Sequence, residues 1–334
     1  MDKILLIILL LVIGFILIIK GGDYFVDGAS WLAEVSGIPK FIVGATIVSI
    51  ATTLPEILVS LISAKAEADM AIGNAIGSVV FNTGIIMSIA LIANPFKINR
   101  KDYLFKGIIL VSVMALLFVF SFQGVNFKNI SNQTTGIFGY VGAAILLLIF
   151  IVFIVDNVLS AKFHSEDDND GTVRQHATKK TVVLNLLKLI LGAAGITLGA
   201  VLLKDNAVKL ATIAGISQAV IGATILAIGT SLPELVTMII ALKKGEGSLS
   251  IGNIVGANTI DISIILPLSA FIAGGNGLPV SNFHLFITMP ITLIIIIIGI
   301  VPTLINKKFT RIQGLIMLII YLAFFVYNIV YVVM

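Results

Sequence analysis

The chain contains no cysteine, only three histidines and few charged residues. Of its 334 residues, 11% are charged, whereas a soluble domain carries about 25%. The absence of cysteine excludes disulfides, thiolate metal sites and cysteine nucleophiles. The scarcity of charge, with 58% apolar residues and a mean hydropathy of +1.14, excludes a soluble globular domain and a disordered chain. The net charge of +4 does not indicate nucleic-acid binding, because the basic residues lie between apolar runs.

Most of the sequence consists of long apolar runs. They are continuous rather than alternating, which indicates helices and argues against a transmembrane β-barrel. The 45-residue charge-free stretch 262–306 contains a turn signal at 274–279 that divides it into two spans. The N-terminal run lacks a small-x-small cleavage pattern, so it is interpreted as a span and not as a signal peptide. We predict an all-α polytopic membrane protein with ten transmembrane helices, near 3–20 (with an extension to 33 left open), 40–64, 70–93, 103–121, 134–156, 181–203, 217–242, 249–273, 282–304 and 311–333.

The distribution of lysine and arginine predicts the orientation of these spans. If the N-terminus is outside, the ten-span arrangement places 16 basic residues on the inner side and 5 on the outer side. Cytoplasmic loops of membrane proteins carry an excess of Lys and Arg. We therefore predict a multi-pass protein with both termini outside.

The sequence contains an internal repeat. Residues 44–58, GATIVSIATTLPEIL, and residues 222–236, GATILAIGTSLPELV, are identical at nine of 15 positions, at an offset of 178. Downstream, 72–77 matches 251–256 at an offset of 179. Five spans per copy would invert the second copy, and inverted repeats are a transporter architecture with the site near the midplane. We predict a first five-helix repeat over 1–160, a cytoplasmic linker over 161–177 and a second, inverted five-helix repeat over 178–334.

Two carboxylates, Glu56 and Glu234, lie near the middle of the second and seventh predicted spans. An ionised carboxylate in hydrocarbon costs several kcal/mol unless it faces a partner or a cavity. No Lys or Arg lies near either residue within these spans. A bound cation is the simplest partner, and oxygen ligands favour Ca²⁺ or Na⁺ over soft metals.

Each carboxylate is the last residue of a four-residue pattern that is typical of the start of a helix. Residues 53–56 and 231–234 both match Ser/Thr-x-x-Glu, the capping box, with proline in the first turn. We expect each long span to break there, with the Thr53 and Ser231 hydroxyls capping the next helix. The turn before proline should leave carbonyls unpaired near 49–52 and 227–230, which a membrane tolerates only in a cavity or on an ion.

The third and eighth spans carry further polar residues. Asn82 and Asp261 align at the offset of 179, and each follows Ser78 or Ala257 by four residues, hence on the same helix face. Asn74 and Asn253 are interpreted as helix caps or cross-links between helices rather than as ion ligands. The acidic segment 166–171 resembles an EF-hand loop but has Ala177 where that loop requires Glu, so we interpret it as a solvated loop.

The motifs GATIVSIATTLPE and GATILAIGTSLPE, each followed by Gly-Asn-x-x-Gly, resemble the two α-repeats of the sodium/calcium exchanger branch of the calcium/cation antiporters, of the prokaryotic type. The resemblance implies a secondary antiporter of the cell membrane that exchanges Na⁺ for Ca²⁺ by alternating access. It implies these ions and the lipid bilayer as partners, no cofactor and no enzymatic activity, with the oligomeric state (a monomer included) left open. It implies that Glu56 and Glu234 are the central Ca²⁺ carboxylates. The other implied ligands are the Thr52 and Thr230 carbonyls for Ca²⁺, Thr53, Ser231, Ser78 and the Ser49 and Ala227 carbonyls for flanking Na⁺ sites, and Asn82 and Asp261 at the centre.

Three departures from the family pattern leave alternatives open. Thr53 stands where the family usually has Ser, within Ala-Thr-Thr instead of Gly-Thr-Ser, and Ala257 stands where it usually has Ser. The missing hydroxyl at 257 removes one ligand, which leaves a Ca²⁺/H⁺ antiporter as an alternative. Asp261 is the residue of the K⁺-dependent branch, so K⁺ co-transport also stays open. An intramembrane enzyme is the remote alternative, because no Ser-His or Cys-His pair lies within the spans.

Overall fold

A computed structural model describes residues 2–65, 68–95, 98–125, 136–167, 178–215 and 227–333. Helices account for nearly all of the regular structure in these ranges. The elements, in chain order, are α1 (Asp2–Ser36), α2 (Lys40–Thr52), α3 (Leu54–Ser63), α4 (Met70–Ala93), α5 (Arg100–Phe120), β1 (Gly136–Phe138), α6 (Tyr140–Asp167), α7 (Lys179–Ile213), α8 (Ala227–Thr230), α9 (Leu232–Lys243), α10 (Gly247–Ala273), β2 (Leu278–Val280), α11 (His284–Asn306) and α12 (Arg311–Val333).

Most of the predicted spans are present in the described part of the chain. Eight helices there are long and apolar enough to cross a membrane, and α2 with α3 forms a ninth candidate span that is bent by 48°. This confirms a multi-pass helical membrane protein. Within the predicted span 217–242, residues 217–226 lie outside the described ranges, so ten spans stays a prediction.

Two helices are longer than predicted. α1 and α7 each contain 35 residues, against predictions of 3–20, with an extension to 33 left open, and 181–203. At 1.5 Å per residue each is about 52 Å long, which exceeds the ~30 Å hydrocarbon core. The prediction ended both helices at charged residues, but long charged side chains can extend to the interface while the helix continues. The linker prediction changes similarly, because α6 continues to Asp167, and 168–177 lie outside the described residues.

The prediction of an all-α protein is confirmed, apart from one short pair of strands. Gly136–Phe138, predicted as the start of a helix over 134–156, forms a strand that pairs antiparallel with Leu278–Val280. The helix begins only at Tyr140. The second strand follows the glycine-rich turn that was expected to divide 262–306, and that division is confirmed.

By packing, the chain divides into two compact units. The first contains Met1–Pro55, Leu159–Asn253 and Leu322–Met334, and the second contains Glu56–Val158 and Ile254–Tyr321. Each unit combines segments from both halves of the sequence. The packing units do not test the predicted repeats at 1–160 and 178–334, so that division stays a prediction.

Glycines allow a close helix crossing in the first unit, where α1 packs along α7. A Cβ atom at Gly14 would lie 3.1 Å from the carbonyl oxygen of Gly199, and one at Gly21 would lie 2.9 Å from that of Gly192. Small residues at such crossings allow helix backbones to approach closely. Gly14 aligns with Gly192, and Gly21 with Gly199, at the offset of 178. Equivalent positions of the two sequence halves therefore form this crossing.

The second unit buries both aromatic and charged side chains. The ring of Tyr321 packs edge-on against Phe81, and a Cβ atom at Gly84 would lie 2.6 Å from that ring. On α5, the Lys106 ammonium forms a 2.6 Å ion pair with Asp156 of α6, with the lysine side chain almost wholly buried. This unit therefore holds polar groups within its core as well as apolar ones.

Candidate functional site

The candidate site begins at two helix breaks. Pro55 and Pro233 have no N–H, so the carbonyls of Ala51 and Gly229 lose their helical donors. α2 ends at Thr52 and α3 begins at Leu54, with a bend of 48°. α8 and α9 are separated in the same way at Ser231. The two predicted breaks are confirmed.

The hydrogen bonds at these breaks differ from the prediction. Ser231 makes no side-chain capping bond to α9, and the Thr53 hydroxyl donates to the Ser49 carbonyl at 2.7 Å. The capping-box prediction is therefore wrong at Ser231, and the Thr53 hydroxyl turns back along its own helix. The Ser49 carbonyl also accepts from the Thr53 N–H at 3.0 Å. This carbonyl was predicted to be unpaired, and that prediction is wrong. The cause is that Thr53 keeps near-helical angles, φ −83° and ψ −1°, which preserves the bond to the residue four positions back.

The first polar cluster is the group of buried predicted site residues in the first unit, and it includes Glu234. The Glu234 side chain is 1% exposed, and the side chains of Thr52 and Thr53 lie beside its carboxylate. Neither carboxylate oxygen meets hydrogen-bond geometry with any residue that the structure describes. A buried carboxylate without donors is expensive in a membrane and is therefore suited to a cation. The cluster consists of Ser49, Thr52, Thr53, Thr230, Ser231 and Glu234, all buried.

Asn253 connects parts of this unit that are distant in sequence. Its Oδ1 accepts from the Thr52 hydroxyl at 3.1 Å, and its Nδ2 donates to the Thr237 hydroxyl at 3.1 Å. Thr237 in turn donates to the Pro233 carbonyl at 2.8 Å. The interpretation of Asn253 as a cross-link is confirmed. Thr237 was missed, because the aligned residue of the first repeat is Val59.

The second polar cluster is the corresponding group of buried predicted site residues in the second unit, Glu56, Ser78, Asn82 and Asp261. The Ser78 hydroxyl lies 3.5 Å from Glu56 Oε1, and Asn82 Nδ2 lies 3.5 Å from the Ser78 hydroxyl. These distances confirm that Ser78 and Asn82 share a helix face. Asn74 donates to the Ser60 hydroxyl at 2.9 Å, so it joins α4 to α3 and is also a cross-link.

Asn258 belongs to this second cluster and was missed. Its Oδ1 accepts from Asn82 Nδ2 at 3.1 Å. It adjoins Ala257, which is wholly buried and offers no hydroxyl. The repeat comparison gave no signal, because the residue aligned with Asn258 is Val79. The available clue was a polar residue next to Ala257, where the aligned residue of the first repeat is Ser78.

A shared backbone irregularity marks the aligned pair of the third and eighth spans. A π-helical segment begins at Asn82 and ends at Met87, and another begins at Asp261 and ends at Ile265. Segments of π-helix within α-helices are rare and occur frequently at functional sites. The aligned residues Asn82 and Asp261 therefore share a backbone feature that is frequent at functional sites.

The chemistry of the two clusters is that of hard oxygen ligands. Within the described residues, no group of three or more Asp, Glu or His side chains is placed to hold a metal ion. A cation here would need hydroxyl, amide or backbone oxygens as well as carboxylates, which suits Ca²⁺ and Na⁺. Ala227, predicted as a carbonyl ligand, begins α8.

Known proteins resemble this chain over nearly its whole length. The sequence profile of the family described as "Sodium/calcium exchanger protein" matches residues 6–158 and 184–330. An uncharacterized membrane protein of Methanocaldococcus jannaschii is 31% identical over 93% of this chain and 94% of its own. The sodium/calcium exchanger MaX1 of Methanosarcina acetivorans is 28% identical over 95% and 97%. A solved structure of the sodium-calcium exchanger NCX_Mj, soaked with Na⁺ and Sr²⁺, superposes with a TM-score of 0.79 at 28% identity, covering 95% of this chain and 97% of that one.

Proposed function

The chain belongs to the sodium/calcium exchanger family, and on that premise we propose that it exchanges Na⁺ for Ca²⁺ across the cell membrane by alternating access. Proteins of this family are transporters and not enzymes, and the apolar helices fit a multi-pass membrane protein. Its substrates are then the two ions themselves, and the oxygen atoms of the two polar clusters are the groups that would bind them.

The observation that carries the proposal is the environment of Glu234. Its carboxylate is buried at a helix break, and no described residue donates a hydrogen bond to it. Leaving such a charge uncompensated in a membrane costs several kcal/mol. A cation that binds and leaves with each transport cycle removes this cost only while it is bound, so ion binding and helix movement become coupled.

We assign the ligands as the family resemblance implies. Glu56 and Glu234 hold Ca²⁺, and Na⁺ ions compete for the same carboxylates. Either ion neutralises the carboxylates enough for the helices to move, whereas an empty transporter would carry bare charge into a closing cavity. The remaining proposed ligands are Thr52, Thr53, Thr230, Ser231, Ser78, Asn82, Asp261 and the carbonyls of Ser49 and Ala227.

A proton-coupled Ca²⁺ antiporter is the second candidate. The observation that favours it is Ala257, which is wholly buried where the aligned Ser78 supplies a hydroxyl. One Na⁺ ligand fewer weakens a flanking Na⁺ site. Protons on Glu56 and Glu234 would then replace Na⁺ as the counter-substrate.

The test is ⁴⁵Ca²⁺ uptake into proteoliposomes that are loaded with Na⁺ and diluted into choline or K⁺ medium. We expect uptake that requires the Na⁺ gradient, persists with a protonophore and disappears in Glu234→Gln, which keeps the side-chain shape and removes the charge. A difference between choline and K⁺ media would identify K⁺ coupling. Uptake driven only by a pH gradient would establish the second candidate. Folded protein that transports no Ca²⁺ under either gradient would refute both.

A further inference from the structure

The first unit contains an apolar groove separate from the polar cluster. The groove has a volume of about 600 Å³ and is formed by residues of α1, α7, α8 and α9. Its lining is apolar apart from two lysines, Lys204 and Lys243. Phe15 and Ile19 of α1 are 58% and 48% exposed and line it, so the groove opens on a surface of membrane-spanning helices that faces lipid.

The groove has the length of an acyl chain. Along α9 its lining extends from Leu232 to Lys243, a rise of about 17 Å at 1.5 Å per residue. Half of the hydrocarbon core of a bilayer is ~15 Å thick. The α9 wall of the groove is therefore about as long as one leaflet is thick, with Lys243 at one end, on the side that the distribution of basic residues places inside.

The charge at that end is uncompensated within the described residues. The neighbouring Lys244, which does not line the groove, forms ion pairs of 2.7 Å with Asp27 and 3.4 Å with Asp23. Lys204 lies 3.4 Å from Asp205. Lys243 is exposed and forms no ion pair in the described ranges. A negatively charged group next to an acyl chain would complement both the lysine and the groove.

We propose that this groove binds one anionic diacyl phospholipid, with an acyl chain along α9 and the headgroup phosphate at Lys243. The face of α9 that lines the groove, with the half-buried Leu235 and the exposed Ile239, lies on the same helix as the buried Glu234 and Thr237. The lipid would therefore pack against the helix that carries a proposed ion ligand. Lipid binding is independent of which ions the protein exchanges, so it can be tested without a transport assay.

The first test is native mass spectrometry of the full-length protein in detergent, titrated with phosphatidylglycerol or phosphatidylcholine of identical acyl chains. We expect phosphatidylglycerol to bind about tenfold more tightly, which is the size of one charge-assisted hydrogen bond. Lys243→Gln should reduce its affinity to that of phosphatidylcholine. The matched control is Lys180→Gln, which removes an exposed lysine of α7 outside the groove and should retain the preference.

The second test fills the groove. Ile239→Trp places a larger side chain in it and should lower the affinity for both lipids at least about tenfold. Leu198→Trp, at a 58% exposed position of α7 that does not line the groove, should leave both affinities unchanged. The proposal is overturned if folded Ile239→Trp binds phosphatidylglycerol like the wild type. It is overturned equally if Lys243→Gln keeps the preference or Lys180→Gln abolishes it.

Discussion

Asn82 Nδ2 donates to Asn258 Oδ1 over 3.1 Å, in a part of the second unit where both side chains are wholly buried. A side-chain amide has one donor end and one acceptor end. Because the donor end of Asn82 is held by Asn258, its carbonyl oxygen is left with no hydrogen-bond donor among the described residues. If Asn82 is an ion ligand as proposed, Asn258 holds its amide so that the oxygen, and not the N–H group, is available to the cation.

This relationship predicts a binding role for Asn258 although it is not a proposed ligand. Asn258→Leu removes the acceptor and lets the Asn82 amide rotate, so we expect the ion concentrations for half-maximal exchange to rise about tenfold. Asn258→Asp keeps an acceptor oxygen in place and should have a smaller effect than Leu. The measurement is Na⁺- and Ca²⁺-dependence of exchange in proteoliposomes. Wild-type ion dependence in Asn258→Leu would contradict the role.

Ala257→Ser tests the missing ligand. The aligned Ser78 carries a hydroxyl in the second polar cluster, and residue 257 is wholly buried without one. Restoring the hydroxyl should lower the Na⁺ concentration for half-maximal exchange by about threefold to tenfold, the range of one added hydrogen-bonding ligand. Ala257→Cys serves as the control, because Cys is similar in size to Ser but carries a soft sulfur that Na⁺ does not favour. If Ser and Cys variants respond alike, the hydroxyl is not a ligand.

Two aligned glycines should respond differently to alanine. A Cβ atom at Gly252 would lie 2.1 Å from the Phe41 carbonyl oxygen, whereas one at Gly73 would lie 3.4 Å from His284 Nε2. Gly252→Ala must push a backbone apart, and we expect a loss of roughly 1–3 kcal/mol in the free energy of unfolding. Gly73→Ala should be neutral or stabilising by up to about 1 kcal/mol, the helix propensity gained. Thermal unfolding of the two variants in detergent compares them directly, and equal midpoints would show that the repeats pack alike here.

Local patterns predicted the parts of the site that depend on local chemistry. Pro55 and Pro233 broke their helices as expected, because the missing N–H acts within one turn. The cross-linking roles of Asn74 and Asn253 followed from their type and place, and the structure bears them out. The partners themselves were not predictable, since Thr52 meets Asn253 across 201 residues of sequence.

The predictions that were wrong also depended on partners that are distant in sequence. The prediction favoured a first helix that ends near Lys20, but α1 continues beyond Asp23 and Asp27 to Ser36. Lys244, more than 200 residues away in sequence, pairs with both aspartates and compensates part of their charge. Only the folded chain shows that partner. Asn258 was missed for a related reason, since repeat alignment detects what two copies share and not what one copy adds.

The predicted orientation can be measured on one helix because the chain has no cysteine. Lys180 and Lys209 are both exposed and lie near opposite ends of α7. About 44 Å separates them along a helix, so they should emerge on opposite sides of the membrane. With both termini outside, a membrane-impermeant maleimide should label Lys209→Cys in intact cells and Lys180→Cys only after permeabilisation. The reverse labelling would invert the protein and place the N-terminus inside, while labelling of both in intact cells would show that α7 does not span the membrane.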